Sequence, residues 1–142
     1  AQALELGATH TSAPEALGEL LERVAPDGVD AAFDVVGDPA VSETALRLTR
    51  SQGTTVLVGL PPTGSRLDLD PALFLRREKW LTGTMYGSED PAVALAVLLG
   101  HVASGALRLD ALIGPSFPLD EIDAAVQASL AGAAGRVIVR FD

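Results

Sequence analysis

At 142 residues, nearly half of them apolar, the chain is long enough for one ordinary hydrophobic core and too apolar for a disordered one. The net charge of −9 disfavours nucleic acid and anionic membranes as partners, because an acidic surface repels both phosphates and anionic headgroups. With no cysteine there is no disulfide, no thiolate metal site and no cysteine nucleophile, and two histidines without carboxylates spaced around them give no metal-site pattern. No apolar run approaches the roughly 20 residues that span a bilayer and no leader pattern opens the chain, so a cytoplasmic location is the expectation.

In chain order, Ala1 to Gly7 reads as the end of a helix with Gly7 as its left-handed cap. A start in mid-pattern without methionine suggests a truncated chain or gene fragment. Ala8 to Ser12 fits a short strand. Ala13 to Val24 fits an amphipathic helix, with Leu17, Leu20, Leu21 and Val24 on one face, and Pro26-Asp27-Gly28 makes a turn. Val29 to Val36 is an apolar run broken by Asp30 and Asp34, as in a strand covered on both faces. Ala40 to Arg50 has helical spacing and Ser51-Gln52-Gly53 stops it. Thr54 to Leu60, rich in β-branched residues, is the clearest strand. Two strand–helix units in series imply a parallel α/β sheet.

Further on, Asp70-Pro71 has the signature of an N-cap followed by proline at the first helical position, opening a short helix through about Arg77. Trp80 to Tyr86 reads as a strand ending at Gly87. Asp90-Pro91 repeats the cap signature before a helix from Ala92 to about Ala103, and Gly105 lies past its end. Leu107 to Phe117 is a mixed extended stretch, Asp120 is expected to cap a helix over Glu121 to Leu130, and Val137 to Phe141 forms a closing strand.

In open α/β sheets ligands bind beyond the carboxyl ends of the strands, which directs attention to Val36-Gly37, Val58-Gly59-Leu60 and Met85-Tyr86-Gly87. All three contain glycine, which lets a ligand approach the main chain closely, although a glycine after a strand also serves simply as a turn. No nucleophile, base and orienter assemble, so no catalytic residue is assigned. Asp34 is the unusual carboxylate. Inside an apolar strand it is paired and buried, near the strand end, or facing a cleft. Arg136, after Ala133-Ala134-Gly135, is either a solvated charge or a contact for a ligand phosphate.

The succession Leu6-Gly7-Ala8-Thr9, Gly28-Val29-Asp30 running into Phe33-Asp34-Val35-Val36-Gly37, Thr55-Val56-Leu57-Val58-Gly59-Leu60-Pro61 and Leu81-Thr82-Gly83-Thr84-Met85-Tyr86-Gly87 is similar to the nucleotide-binding half of zinc-dependent medium-chain alcohol dehydrogenases. Leu109 to Ile113, Pro118 to Ala125 and Gly135-Arg136-Val137-Ile138-Val139 continue the likeness to the end of the chain. The pattern looks closest to the class III-like branch.

That resemblance implies an α/β fold: the C-terminal half of a Rossmann-type parallel sheet (residues 1–85) and a C-terminal return segment (86–142) that packs with a catalytic domain outside this sequence. By the resemblance, Val35, Val36 and Gly37 lie against the adenosine part of NAD or NADP. Val58, Gly59 and Leu60 flank the nicotinamide, Thr84 and Tyr86 offer backbone groups to its carboxamide, and Arg136 contacts the pyrophosphate. The glycine-rich turn after the first strand and the zinc ligands of such enzymes match nothing here, so the resemblance implies zinc in the intact enzyme without ligands in this chain. Hydride transfer by these residues alone is then not expected. The implied substrate of the intact enzyme is an alcohol or aldehyde, and the strand from Trp80 corresponds to an edge through which such enzymes dimerise. Two rival readings are a non-catalytic nucleotide- or partner-binding module and a fragment of a zinc-free quinone oxidoreductase.

Overall fold

A computed structural model describes residues 2–141; Ala1, assigned above to the opening helix, and Asp142 lie outside the described residues. Two compact units form, one from residues 12–89 and one combining residues 1–11 with 90–142.

The unit of residues 12–89 is a three-stranded parallel sheet with strands in the order β1-β2-β3, where β1 is Val29–Asp34, β2 is Thr49–Leu57 and β3 is Trp80–Gly83. Helix α3 (Pro39–Leu48) carries the chain from β1 to β2, and the short α4 (Ala72–Leu75) lies between β2 and β3. Parallel neighbours require such crossovers, so the alternation seen in the sequence becomes α/β topology. Ahead of β1, a turn of 3-10 helix at Pro14–Ala16 leads into α2 (Leu17–Val24).

The elements are set by local chemistry. Asp38 accepts the Ala40 N–H at 2.8 Å ahead of Pro39, and Asp70 accepts the Ala72 N–H at 2.9 Å ahead of α4, which fills donors that a helix start leaves open. At the other end of α3, Lys79 is buried and its Nζ donates to the carbonyls of Leu46 (2.7 Å) and Arg47 (3.0 Å). A cation there meets the negative end of the helix dipole. Burial first, and the nearby Arg77 second, push this ammonium below its ordinary pKa.

Leu46 is 1% exposed where α3 packs on β1 and β2. Beneath that helix Thr55, fully buried in the central strand, has the one buried side-chain polar atom without a hydrogen-bond partner among the described residues. An unsatisfied buried hydroxyl costs about 1–3 kcal/mol. Thr55→Val, which keeps the branched shape, should therefore raise stability by about 1 kcal/mol in urea unfolding; a loss of stability would show that the hydroxyl has a partner after all. The opposite face of the sheet is open: Phe33, Val35 and Trp80 are each about two-thirds exposed (65%, 69% and 68%).

The second unit holds α1 (Gln2–Glu5), α5 (Pro91–Ala103), β4 (Ile113–Pro118), α6 (Ile122–Leu130) and β5 (Arg136–Arg140). β4 and β5 pair in parallel across α6, whose Ala125 is buried against them. Asp90 accepts the Ala92 N–H at 2.8 Å and starts α5. This helix is apolar on all sides, and Val93, Leu95, Val97, Leu98 and Leu99 remain 49–57% exposed. Among the described residues no helix is long and apolar enough to cross a membrane.

Several expectations are corrected. Ala8 to Ser12 forms no strand: neither sheet offers it a ladder partner, and the residues are exposed. β1 stops at Asp34, two residues early, because the Asp34 side chain turns the backbone. Ser51-Gln52-Gly53 does not simply end a helix; β2 already begins at Thr49 and these residues form a bulge, since Val29 pairs with Thr49 but Ala31 with Thr54. Gln52 there takes a positive φ of 62°, held by its N–H on the Arg77 carbonyl at 2.8 Å.

The third strand ends at Gly83, short of Tyr86, and further on Tyr86, Gly87 and Ser88 all take positive φ (50°, 77° and 60°) and leave the extended path. Asp120 caps nothing: a 3-10 turn over Leu119–Glu121 precedes α6 and moves its cap position to Glu121, with no side-chain cap bond.

Candidate functional site

At the carboxyl ends of β1 and β2, two loops cross with backbone packed against backbone. Gly37 has φ +81°, which favours glycine, and a Cβ there would lie 2.8 Å from the carbonyl of Leu60. A Cβ on Gly59 would lie 2.2 Å from the Gly37 nitrogen and 2.5 Å from the Val36 carbonyl carbon. These two glycines are thus required by the approach of one backbone to another. Their presence by itself does not call for a ligand.

Asp34 organises the crossing. It is 2% exposed, its Oδ1 accepts the N–H groups of Val36 (2.9 Å) and Gly37 (3.1 Å), and its Oδ2 accepts the Ser42 hydroxyl at 2.5 Å. Its main-chain carbonyl accepts the N–H groups of Val58 (2.8 Å) and Gly59 (2.9 Å) from the neighbouring strand end. Burial alone would raise its pKa, but the bonds from Ser42, Gly37 and Val36 outweigh burial and hold the carboxyl below its ordinary value. Of the roles open to Asp34 in the sequence, the structure takes the buried, hydrogen-bonded one, at the end of its strand.

Around this crossing the side chains at the candidate positions face outward. Val35 and Val36 are about two-thirds exposed, Val58 is 44% exposed and Leu60 89%. The result is an apolar rim on a backbone whose Val36, Gly37, Val58 and Gly59 N–H groups are already used internally. Such a rim suits the flat, apolar faces of a ring system through contact; it leaves these four amides nothing to donate to a ligand.

Behind the crossing a cavity of about 80 Å³ is lined by Gly37, Ser42, Leu57, Gly59, Ser65 and Arg66 among others. It is the size of a few water molecules, too small for a nucleotide. Thr84 follows β3, and its N–H donates to the Leu57 carbonyl at 3.1 Å, which joins a third strand end to the first two. Tyr86 is outside the strand and 81% exposed.

Arg136 belongs to the other unit, as the first residue of β5, exposed at the edge of a cleft between β5 and α6. The Gly135 before it is glycine for a local reason: it has φ +78°, and a Cβ there would lie 2.9 Å from the Gly114 nitrogen and the Leu112 carbonyl oxygen.

Among the described residues no group of three or more His, Cys, Asp and Glu side chains is placed to hold a metal ion. His10 bonds the adjacent Thr9 hydroxyl and His101 sits in α5. These residues do not fit a catalytic zinc. The sequence reading missed Ser42 and Lys79. Ser42 looked like one more helix serine, and only its position one turn into α3, opposite the carboxyl end of β1, makes it the partner of Asp34.

Comparison with known proteins agrees with this architecture. A sequence model described as zinc-binding dehydrogenase matches residues 1–99. An alcohol dehydrogenase zinc-binding domain protein from Burkholderia ambifaria is 28% identical with a TM-score of 0.89, over 99% of this chain and 38% of its own. Benzyl alcohol dehydrogenase from Acinetobacter calcoaceticus is 26% identical with a TM-score of 0.85, over 99% of this chain and 39% of its own. A zinc-binding dehydrogenase from Sinorhizobium meliloti 1021, bound to NADP, is 28% identical with a TM-score of 0.81, over 97% of this chain and 41% of its own. The chain thus spans about two-fifths of the length of the solved structures it matches. With parallel strands joined by helical crossovers, glycine-built loops at their carboxyl ends and a family match over most of its length, the chain belongs to the zinc-binding dehydrogenase family.

Proposed function

We propose that this chain is the C-terminal part of an NAD(P)-dependent, zinc-dependent alcohol dehydrogenase that interconverts alcohols with aldehydes or ketones in the cytoplasm, and that it supplies one half of the dinucleotide site. The observation that carries this reading is the meeting of the β1, β2 and β3 ends, with the apolar rim of Val35, Val36, Val58 and Leu60 around the Gly37–Gly59 crossing. Open parallel sheets bind ligands beyond such ends. Val35 to Gly37 face the adenosine portion, Val58 to Leu60 the nicotinamide, and Thr84 and Tyr86 its carboxamide. The Arg136 guanidinium contacts the pyrophosphate. When bound, the dinucleotide would supply hydride transfer, and the residues here would bind and orient it; the groups that polarise the alcohol oxygen lie elsewhere in the parent. The parent is a homo-oligomer joined through β3, an edge strand whose Trp80 is exposed.

Adding millimolar NADH to the 15N-labelled chain tests this. The expected amide shifts cluster at residues 35–37, 58–60 and 84–86 and at Arg136, with no saturation in the micromolar range and no ethanol oxidation when zinc is added. Shifts confined to other surfaces, or none at all, would sink the nucleotide reading, and zinc-dependent turnover would refute the placement of the metal site outside these residues.

A further inference from the structure

We propose that Asp34, with Ser42 behind it, is a positioning residue for the dinucleotide: a single buried carboxylate that sets both the β1-end and the β2-end loop and so fixes the shape of the rim the cofactor meets. The inference rests on the nucleotide reading above.

Four backbone N–H groups from two strand ends converge on this one residue, two on its carboxylate and two on its carbonyl. The carboxylate has no freedom of its own, because Oδ2 is bound to Ser42, which the rigid α3 helix carries. Val58 and Gly59 of the β2-end loop are bonded to the Asp34 main chain and not to its carboxylate, yet the loop rests directly on the backbone of Val36 and Gly37, where no side-chain atom fits between. A displacement of Val36-Gly37 must therefore move Val58-Gly59-Leu60 as well. Close-packed backbones transmit such a shift because neither can yield alone. An ordinary turn-forming aspartate would govern only the two residues that follow it. Here the side chain controls a second loop that it does not touch.

The test compares amide hydrogen exchange in the 142-residue chain, without cofactor, in the wild type, Asp34→Ala, Asp34→Asn and Ser42→Ala. In Asp34→Ala, exchange at Val36, Gly37, Val58 and Gly59 is expected to rise together, by at least about tenfold beyond the general rise that Ala32 and Thr55 in the paired strands report for the global loss of stability. Asp34→Asn keeps an acceptor for Val36 and Gly37 and should restore most of that protection. Ser42→Ala should give the same four-residue pattern at smaller amplitude, and it decides the matter if Asp34→Ala does not fold. A response limited to Val36 and Gly37, with Val58 and Gly59 as protected as in the wild type, overturns the inference. A second arm adds NADH to the folded variants: shifts at Gly37 and Gly59 should weaken at least fivefold in Asp34→Ala or Ser42→Ala and recover in Asp34→Asn. Equal shifts in all of them would overturn the positioning role, whereas absent shifts in the wild type would overturn the nucleotide reading and leave the loop coupling to be judged by exchange alone.

Discussion

Gly59→Ala should cost the chain at least about 3 kcal/mol of stability, and enough to leave much of it unfolded at 25 °C in a domain of ordinary stability. The added methyl would sit 2.2 Å from the Gly37 nitrogen and 2.5 Å from the Val36 carbonyl carbon, and both obstacles are backbone. A flexible side chain swings away from an intruding methyl at little cost. Here one whole strand end must move, and the bonds from Val58 and Gly59 to the Asp34 carbonyl break with it. Gly100→Ala is the control: this glycine lies in α5, and its Cβ would meet nothing within 4 Å. Alanine is the better helix former by about 1 kcal/mol, so that variant should be as stable as the wild type or more so. Urea unfolding of the two variants side by side checks the pair. If Gly59→Ala is within 1 kcal/mol of the wild type, by order of magnitude the lower bound for an overpacked core, the two loops are not in contact.

The second large effect concerns charge. Asp34→Ala leaves the Val36 and Gly37 N–H groups and the Ser42 hydroxyl without their acceptor. Each such orphan costs about 1–3 kcal/mol when buried, so a loss of about 3 kcal/mol or more is expected. The milder Asp34→Asn isolates the ionised form. Because the folded-state pKa of Asp34 is depressed, the unfolded chain takes up this proton first as pH falls. The stabilisation from the carboxylate is then fully present above its unfolded pKa of about 4 and disappears as pH drops through the lower folded value. The stability gap between wild type and Asp34→Asn should be widest near neutrality and shrink below about pH 4. Urea midpoints at a series of pH values measure it, and a gap that does not change with pH would mean that Asp34 is not held as a carboxylate.

Much of this molecule follows from its sequence alone. The apolar run from Val29, the β-branched run from Thr54 and the helical pattern between them imply a parallel pair with a crossover, and the Asp-Pro signatures at residues 70–71 and 90–91 each precede a helix. These features are local: a period, a cap or a proline acts within one turn of itself, so it can be read without knowing what lies across the fold.

Tertiary structure decided the rest, because it depends on pairs distant in sequence. That Gly37 and Gly59 serve each other follows only from the register of β1 on β2, which sets Asp34 opposite Leu57 and brings the two loops into contact. Nothing near Ser42 or Lys79 in the chain announces that one holds a buried carboxylate and the other closes a helix end; α3 and the start of β3 bring their partners to them. The bulge at residues 50–53 and the left-handed turn at Tyr86–Ser88 likewise escape a sequence pattern. Gln52, Tyr86 and Ser88 are not residues that favour positive φ, and they adopt it because the strands around them fix where the chain must go.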